Sequence, residues 1–219
     1  MITILMFNNS TNRMETFQRN LNDPMPYNTG GTLSVREFRG SSRSGILWSS
    51  TNTMNAWNTF RSRAGRPIHV GFAFRRIGEG RHANQSQHYA GTAFDIAQNL
   101  NNTQRAELRS VAVNSGVWSH IDPASATPTW IHVDARQRPP ACSAGYPLLR
   151  RGDIGNYVTL LQDALQTVGM LSVGIDGIFG PITEGAVQQF QRESGLTADG
   201  VVGCATWTAL TSRANGSFC

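Results

Sequence analysis

Two short runs constrain this chain more than anything else in it: Ser86-Gln87-His88-Tyr89-Ala90-Gly91-Thr92-Ala93-Phe94-Asp95 and Thr129-Trp130-Ile131-His132-Val133-Asp134. From Gly91 onward the first alternates, with Gly91, Ala93 and Asp95 on one side and Thr92, Phe94 and Ile96 on the other, as a pleated strand requires. In the second, Trp130, His132 and Asp134 share a face, and Ile131 and Val133 share the opposite one. Each run therefore predicts a strand with one core face and one polar face. Paired side by side, they bring together His88, Asp95 and His132, two imidazoles and a carboxylate. That donor set suits zinc, and three protein ligands leave a fourth position open, as in catalytic rather than structural sites. The seven-residue step from His88 to Asp95 is too long for one helical turn, so a loop entering a strand is expected.

The pattern Ser86-x-His88-x-x-Gly91-x-Ala93-x-Asp95 followed by Trp130-x-His132-x-Asp134 resembles the zinc D-alanyl-D-alanine carboxypeptidases and related peptidoglycan endopeptidases, whose fold is shared with the hedgehog signalling domain. Leu33-Ser34-Val35-Arg36-Glu37-Phe38 is similar to that family's early strand, and Gly65-Arg66-Pro67-Ile68 with Phe74-Arg75 to its Gly-Lys-Pro-Ile and Gly-Tyr-Arg segment. The resemblance implies an α+β domain with a central antiparallel sheet, zinc held by His88, Asp95 and His132, and substrate contacts from Ser86, Arg75 and Trp130. Arg75 matches the substrate-facing arginine, whose guanidinium can polarise a scissile carbonyl or fork onto a carboxylate.

The proton-handling group departs from the family pattern. Where family members carry an acidic residue or a histidine just before the last ligand, this chain has Thr129 and Trp130. Asp134 lies on the His132 face about 7 Å along the strand, so it either takes the proton or orients a ligand histidine. Asp122 and Glu79 are the alternatives. Ser119-His120-Ile121-Asp122 repeats the His-x-Asp spacing, and His120 is a further candidate for contact with substrate or water at the metal. His69 reads as a packed strand residue and His82 as solvent-facing.

The 219 residues, 39% of them hydrophobic, suffice for one large or two small domains. The net charge of +5 comes entirely from arginine, and it is uneven. Residues 1–144 carry 15 Arg against 8 Asp+Glu (+7), and residues 145–219 carry 4 against 6 (−2). A basic first part suits an anionic partner such as a cell-wall polymer. The scattered arginines accompany no nucleic-acid motif, so nucleic acid is not expected. No apolar run approaches the roughly 20 residues that span a bilayer, so no membrane partner is expected either. Met1-Ile2-Thr3-Ile4-Leu5-Met6-Phe7 lacks a basic leader and reads as an edge strand, not a signal peptide. Action on a wall outside the cell would then need another export route.

A helix capped by Thr53 is predicted, with Met54, Trp57 and Phe60 on its core face and Gly65 at its end. Ile68, Val70 and Phe72 predict a strand, Asn101 to Val113 a second helix, and Pro123 to Pro128 a loop able to roof the site. Around Arg138-Pro139-Pro140 the composition turns to proline and small residues, which predicts a linker at 139–145 between a first domain (1–138) and a second (146–212), with a tail at 213–219. In the second domain Val158, Leu161, Leu165 and Val168 form one helical stripe. Asp-Gly-x-x-Gly-x-x-Thr then occurs twice, at 176–183 and 199–206, each a turn feeding a helix. This echo, with Ala186-Val187-Gln188-Gln189-Phe190-Gln191 and Gly195-Leu196, resembles the three-helix peptidoglycan-binding domain of wall hydrolases. Asp176, Phe179 and Asp199 are read as shaping turns and core. Cys142, Cys204 and Cys219 lack metal spacing, and a Cys142–Cys204 bridge would fit an oxidising wall environment. The resemblances together imply a monomeric zinc peptidase acting on peptidoglycan stem peptides. The rival expectation is a non-catalytic wall-binding protein with a structural zinc site.

Overall fold

The computed structural model describes residues 1–79, 83–137, 139–141 and 145–216, which build two sheets and six α-helices around two hydrophobic cores. Strand β1 (Ile2–Asn8) lies between β2 (Arg13–Arg19), antiparallel to it, and β3 (Ile46–Ser50), parallel to it. The first strand is thus central in its sheet, not an edge. Its apolar run is continuous: Ile4, Leu5 and Met6 are all buried, and a strand apolar on both faces needs cover on both.

The second early expectation to change concerns Leu33 to Phe38. Residues Val35–Arg39 form a helix, α1, not a strand. Ser34 Oγ accepts the Glu37 N–H and the Glu37 carboxylate accepts the Ser34 N–H, a capping box that sets a helical first turn. Val35 and Phe38, three apart, then face the core together. Helix α2 (Thr51–Ala64) buries Met54, Trp57 and Phe60 and ends at left-handed Gly65. Its cap is Ser50, whose Oγ accepts the Thr53 N–H at 3.2 Å, so the helix starts before Thr53.

The second sheet is antiparallel throughout, in the order β4 (Val70–Phe72), β5 (Ala93–Ile96), β7 (Ile131–Asp134), β6 (His120–Ile121). Phe94, Ile96, Ile131 and Val133 are fully buried, which leaves Asp95 and His132 on the other face. Helix α3 (Asn102–Ser115) is capped by an Asn101/Gln104 box. From it Arg109 donates to the carbonyls of Thr127 and Trp130, pinning the 123–130 loop to the helix.

Helices α4 (Asn156–Thr167), α5 (Pro181–Glu193) and α6 (Cys204–Ala214) form the C-terminal bundle. The two echoed turns are held in the same way. Gln162 Nε2 donates to Asp176 Oδ1, Ile178 O and Thr183 Oγ1; Gln191 Nε2 donates to Asp199 Oδ1, Val201 O and Thr206 Oγ1. Asp176 and Asp199 therefore shape turns, and Phe179 is fully buried.

A single apolar stripe would bury one face of α4, but the helix is buried on nearly every side from Asn156 to Leu165. Its apolar stripe faces its own bundle, and its polar residues meet the first half of the chain. Asn156 Nδ2 donates to Ala90 O, Tyr157 Oη to Gln87 Oε1, and Arg76 to the Asp163 carboxylate. Ile77, Tyr89 and Ala90 join the core of the bundle. The two halves are docked on one another, and the contact falls directly behind the loop that carries His88.

Candidate metal centre

The register of β5 against β7 places Asp95 opposite His132. Their side chains meet on the polar face, with Nδ1 of His132 donating to Asp95 Oδ1 at 2.8 Å. His88 comes from the preceding loop, and its Nε2 lies 3.4 Å from Asp95 Oδ2. One potential ligand atom from each of His88, Asp95 and His132 falls within 4.8 Å of the others. The sequence expectation for these three is thus met in space.

The loop holding His88 is tightly built. Gly91 takes φ +67°, and a Cβ there would lie 2.0 Å from the Trp48 carbonyl oxygen, so no larger residue fits without moving β3. Nδ1 of His88 donates to the Ala73 carbonyl at 2.8 Å, which assigns the proton to Nδ1 and turns Nε2 toward Asp95. Gln87 ties the loop to the C-terminal half, accepting from Tyr157 Oη and donating to Gly145 O. Ser86, expected at the substrate, is buried. Its Oγ accepts the His88 N–H and its carbonyl accepts Tyr146 Oη, contacts that shape the loop.

Asp134 lies behind His132. It is fully buried, and its Oδ2 is 3.2 Å from Nε2 of His132, on the ring edge away from Asp95. Arg136 grips it with a fork, Nε to Oδ1 at 2.7 Å and Nη2 to Oδ2. Of the two roles read from the sequence, a carboxylate in that place is suited to orienting the imidazole.

Charge is organised to match. Burial alone would raise the Asp134 carboxyl, but Arg136 and His132 bring it down to about 2. Burial likewise opposes ionisation of Asp95, and hydrogen bonds from His132 and His88 override it, holding that carboxyl well below the usual range. Between the two carboxylates His132 is driven the other way. Burial lowers it, yet Asp134 and Asp95 raise it to about 9. A position that favours a proton so strongly is one that favours a cation. Two imidazoles, each with its outer nitrogen already hydrogen-bonded, and a carboxylate between them form a donor set that fits a zinc-type ion.

His120 stands on the same sheet face, opposite Asp134 in the β6–β7 pair, with its ring centre 6.4 Å from that of His132. Its Nε2 is 2.8 Å from Asp122 Oδ1, and about a third of its side chain is exposed. Arg75 lies over the Phe72 ring at 5.0 Å, and that ring meets His88 edge-on. The neighbouring Arg76 is committed to Asp163. Trp130 is half-buried just before β7. Glu79 holds the Ser42 hydroxyl and the Arg43 and Arg76 N–H groups, which removes it from proton transfer. His69 is exposed, not packed. His82, Cys142 and Cys219 lie outside the described residues, and so does the Cys142–Cys204 bridge.

Arg136, Gln87 and Tyr157 were not singled out from the sequence. Arg136 had a signal: it continues the period of His132 and Asp134 by one step. Tyr157 had none, because its partner is 70 residues away. No helix among the described residues is long and apolar enough to cross a membrane.

A sheet-borne His-Asp-His cluster joined to a three-helix module of doubled turns defines a two-part chain, and family profiles give both parts a name. Residues 32–134 match Peptidase M15 and residues 155–210 match the peptidoglycan binding domain, so a Peptidase M15 domain precedes a peptidoglycan-binding domain in this chain. Among individual proteins, the chain is 42% identical over 69 residues to an uncharacterized protein in the bpoA1 3' region of Kitasatospora aureofaciens, a match covering 31% of this chain and 58% of that one. It is also 42% identical over 66 residues to the zinc D-Ala-D-Ala carboxypeptidase of Streptomyces albus G, covering 28% of this chain and 25% of the relative. The chain thus spans less than two thirds of the length of either. A solved peptidoglycan-binding protein from Clostridioides difficile is similar at 39% identity with a TM-score of 0.31, over 33% of this chain and 45% of that one.

Proposed function

We propose that this chain is a zinc-dependent peptidase that hydrolyses peptide bonds in peptidoglycan stem peptides and is held on the wall by its C-terminal bundle. The observation that carries the reading is the convergence of His88, Asp95 and His132 within 4.8 Å inside the segment that matches Peptidase M15. The neighbouring match to a peptidoglycan-binding domain supports the choice of polymer.

His88 Nε2, an Asp95 oxygen and His132 Nδ1 would hold the ion, which supplies Lewis acidity toward a carbonyl and toward water. The remaining work falls to the chain's own groups. Asp134, held by Arg136, fixes the ring of His132. His120, backed by Asp122 and open to solvent, is the group we assign to accept and return the proton, the task an acidic residue performs elsewhere in the family. We assign Arg75, whose guanidinium lies over the Phe72 ring that meets His88, to a substrate carboxylate or carbonyl, and Trp130 to substrate contact.

Mass spectrometry of purified muropeptides incubated with zinc-loaded protein, beside a chelated control and His88→Ala, tests this. Loss of one alanine identifies a carboxypeptidase, and separation of crosslinked dimers an endopeptidase. Unchanged muropeptides with wall binding retained would replace the proposal by a non-catalytic wall-binding protein.

A further inference from the structure

A large cleft among the described residues is not lined by His88, Asp95 or His132. It holds about 830 Å³ and runs between the two halves, from the β1–β2 turn and α2 on one wall to residues 148–158 on the other. Its lining is rich in amides. Asn52, Asn55 and Thr59 project from one face of α2, Asn9 and Asn12 from the β1–β2 turn, and Gln137 and Asn156 from the opposite side. Asn12, Asn52, Asn55 and Gln137 are exposed, and their side chains make no hydrogen bond to the rest of the described chain. Only two charged residues among those described line the cleft: Arg136 is forked on Asp134, and the Asp153 carboxylate accepts the Arg150 backbone N–H in its own turn. Phe7 and Leu148 add apolar surface. The docking of α4 keeps this space preformed.

We infer that the cleft is a subsite for an uncharged N-acetylated glycan strand. Each amide offers two donors and an acceptor, which suits a ligand whose hydroxyl and acetamido groups need both. A nucleic acid, charged along its whole length, would meet a single lining arginine here, and that one is already forked on Asp134. The volume lies within the range of small-ligand sites. One end is bounded by Thr92, Ser119, Ala135 and Arg136, on or beside the strands that carry Asp95, His120 and His132. A sugar chain in the cleft would therefore end beside the strands that carry the metal centre. The inference rests on the peptidoglycan reading above, and its test is a binding measurement independent of hydrolysis.

Tetra-N-acetylchitotetraose is titrated into the isotopically labelled full chain, with a free stem pentapeptide as the second arm and Asn52→Ala/Asn55→Ala as the variant. The sugar should shift amide signals of residues 52–59, 137 and 152–158, and the variant should bind about tenfold more weakly at an unchanged melting temperature, since two hydrogen bonds are lost. Shifts confined to α5 and α6, shifts at the cleft from the peptide alone, or equal sugar affinity in the variant would each overturn the subsite. In those cases muropeptide hydrolysis would still stand on its own; its loss with cleft shifts intact would instead sink the enzymatic reading alone.

Discussion

Arg76 and Asp163 join the two halves of the molecule: Nε of Arg76 donates to Asp163 Oδ1 at 2.8 Å, and the adjacent Ile77 N–H donates to Oδ2 at 3.2 Å. A carboxylate in the middle of α4, with no exposed side-chain surface, is thus satisfied wholly by the peptidase half. Burial pushes its carboxyl up to about 6, against the pull of Arg76 and the Ile77 N–H.

That shift fixes the sign of a pH effect. The folded state holds this proton more tightly than the unfolded chain, so the contribution of Asp163 is fully present below pH 3.8 and is lost as pH rises through about 6. The full swing is on the order of 3 kcal/mol. Urea unfolding of Asp163→Asn should show a flatter dependence on pH between 4 and 6 than the parent. Arg76→Ala, which leaves the buried carboxylate without its partner, should cost roughly 3–5 kcal/mol at neutral pH.

Zinc uptake should expel a proton. His132 is raised to about 9 by Asp134 and Asp95, so at pH 7 the metal-free site carries a proton that a ligand imidazole cannot keep. Calorimetry of zinc binding in buffers of different ionisation enthalpy should report release of about one proton at pH 7, with apparent affinity falling as the pH is lowered. Proton-neutral binding would show that His132 is not a ligand.

Arg136 acts through Asp134 and His132. Arg136→Met keeps much of the side-chain volume and removes the fork. It should weaken zinc retention by about 10–100-fold against a competing chelator, with a smaller effect on overall fold. Retention equal to the parent would make Arg136 a structural residue only.

His120→Ala should lower turnover by about 10²–10⁴-fold while zinc content stays at the parent level. Asp122→Asn, which weakens the contact that orients His120, should lower turnover by less than His120→Ala and leave zinc content unchanged. Parallel loss of zinc in His120→Ala would instead make His120 part of the ligand shell.

Much of the centre was legible because strand alternation fixes a face, and the facing positions of Asp95 and His132 follow from one antiparallel register. Resemblance misled at Leu33 to Phe38, which the likeness reads as a strand, yet the Ser34–Glu37 box decides for a helix. What could not be read was the far side of α4. Asn156 and Asp163 look like solvent-facing polar residues, because their partners lie 66 and 87 residues away. Ser86 and Asp134 were legible as members of the site but not in their roles, since role depends on which edge of an imidazole a group meets.

The docking of α4 behind the His88 loop also sets how such a molecule would travel over its polymer. A module on a loose tether lets its catalytic partner sweep a volume around each anchoring point. Under the proposed function, anchor and blade would here form one piece with a constant stride between them. The lattice must present a bond at that stride, so on an ordered wall the pattern of cuts would follow the spacing of the material itself.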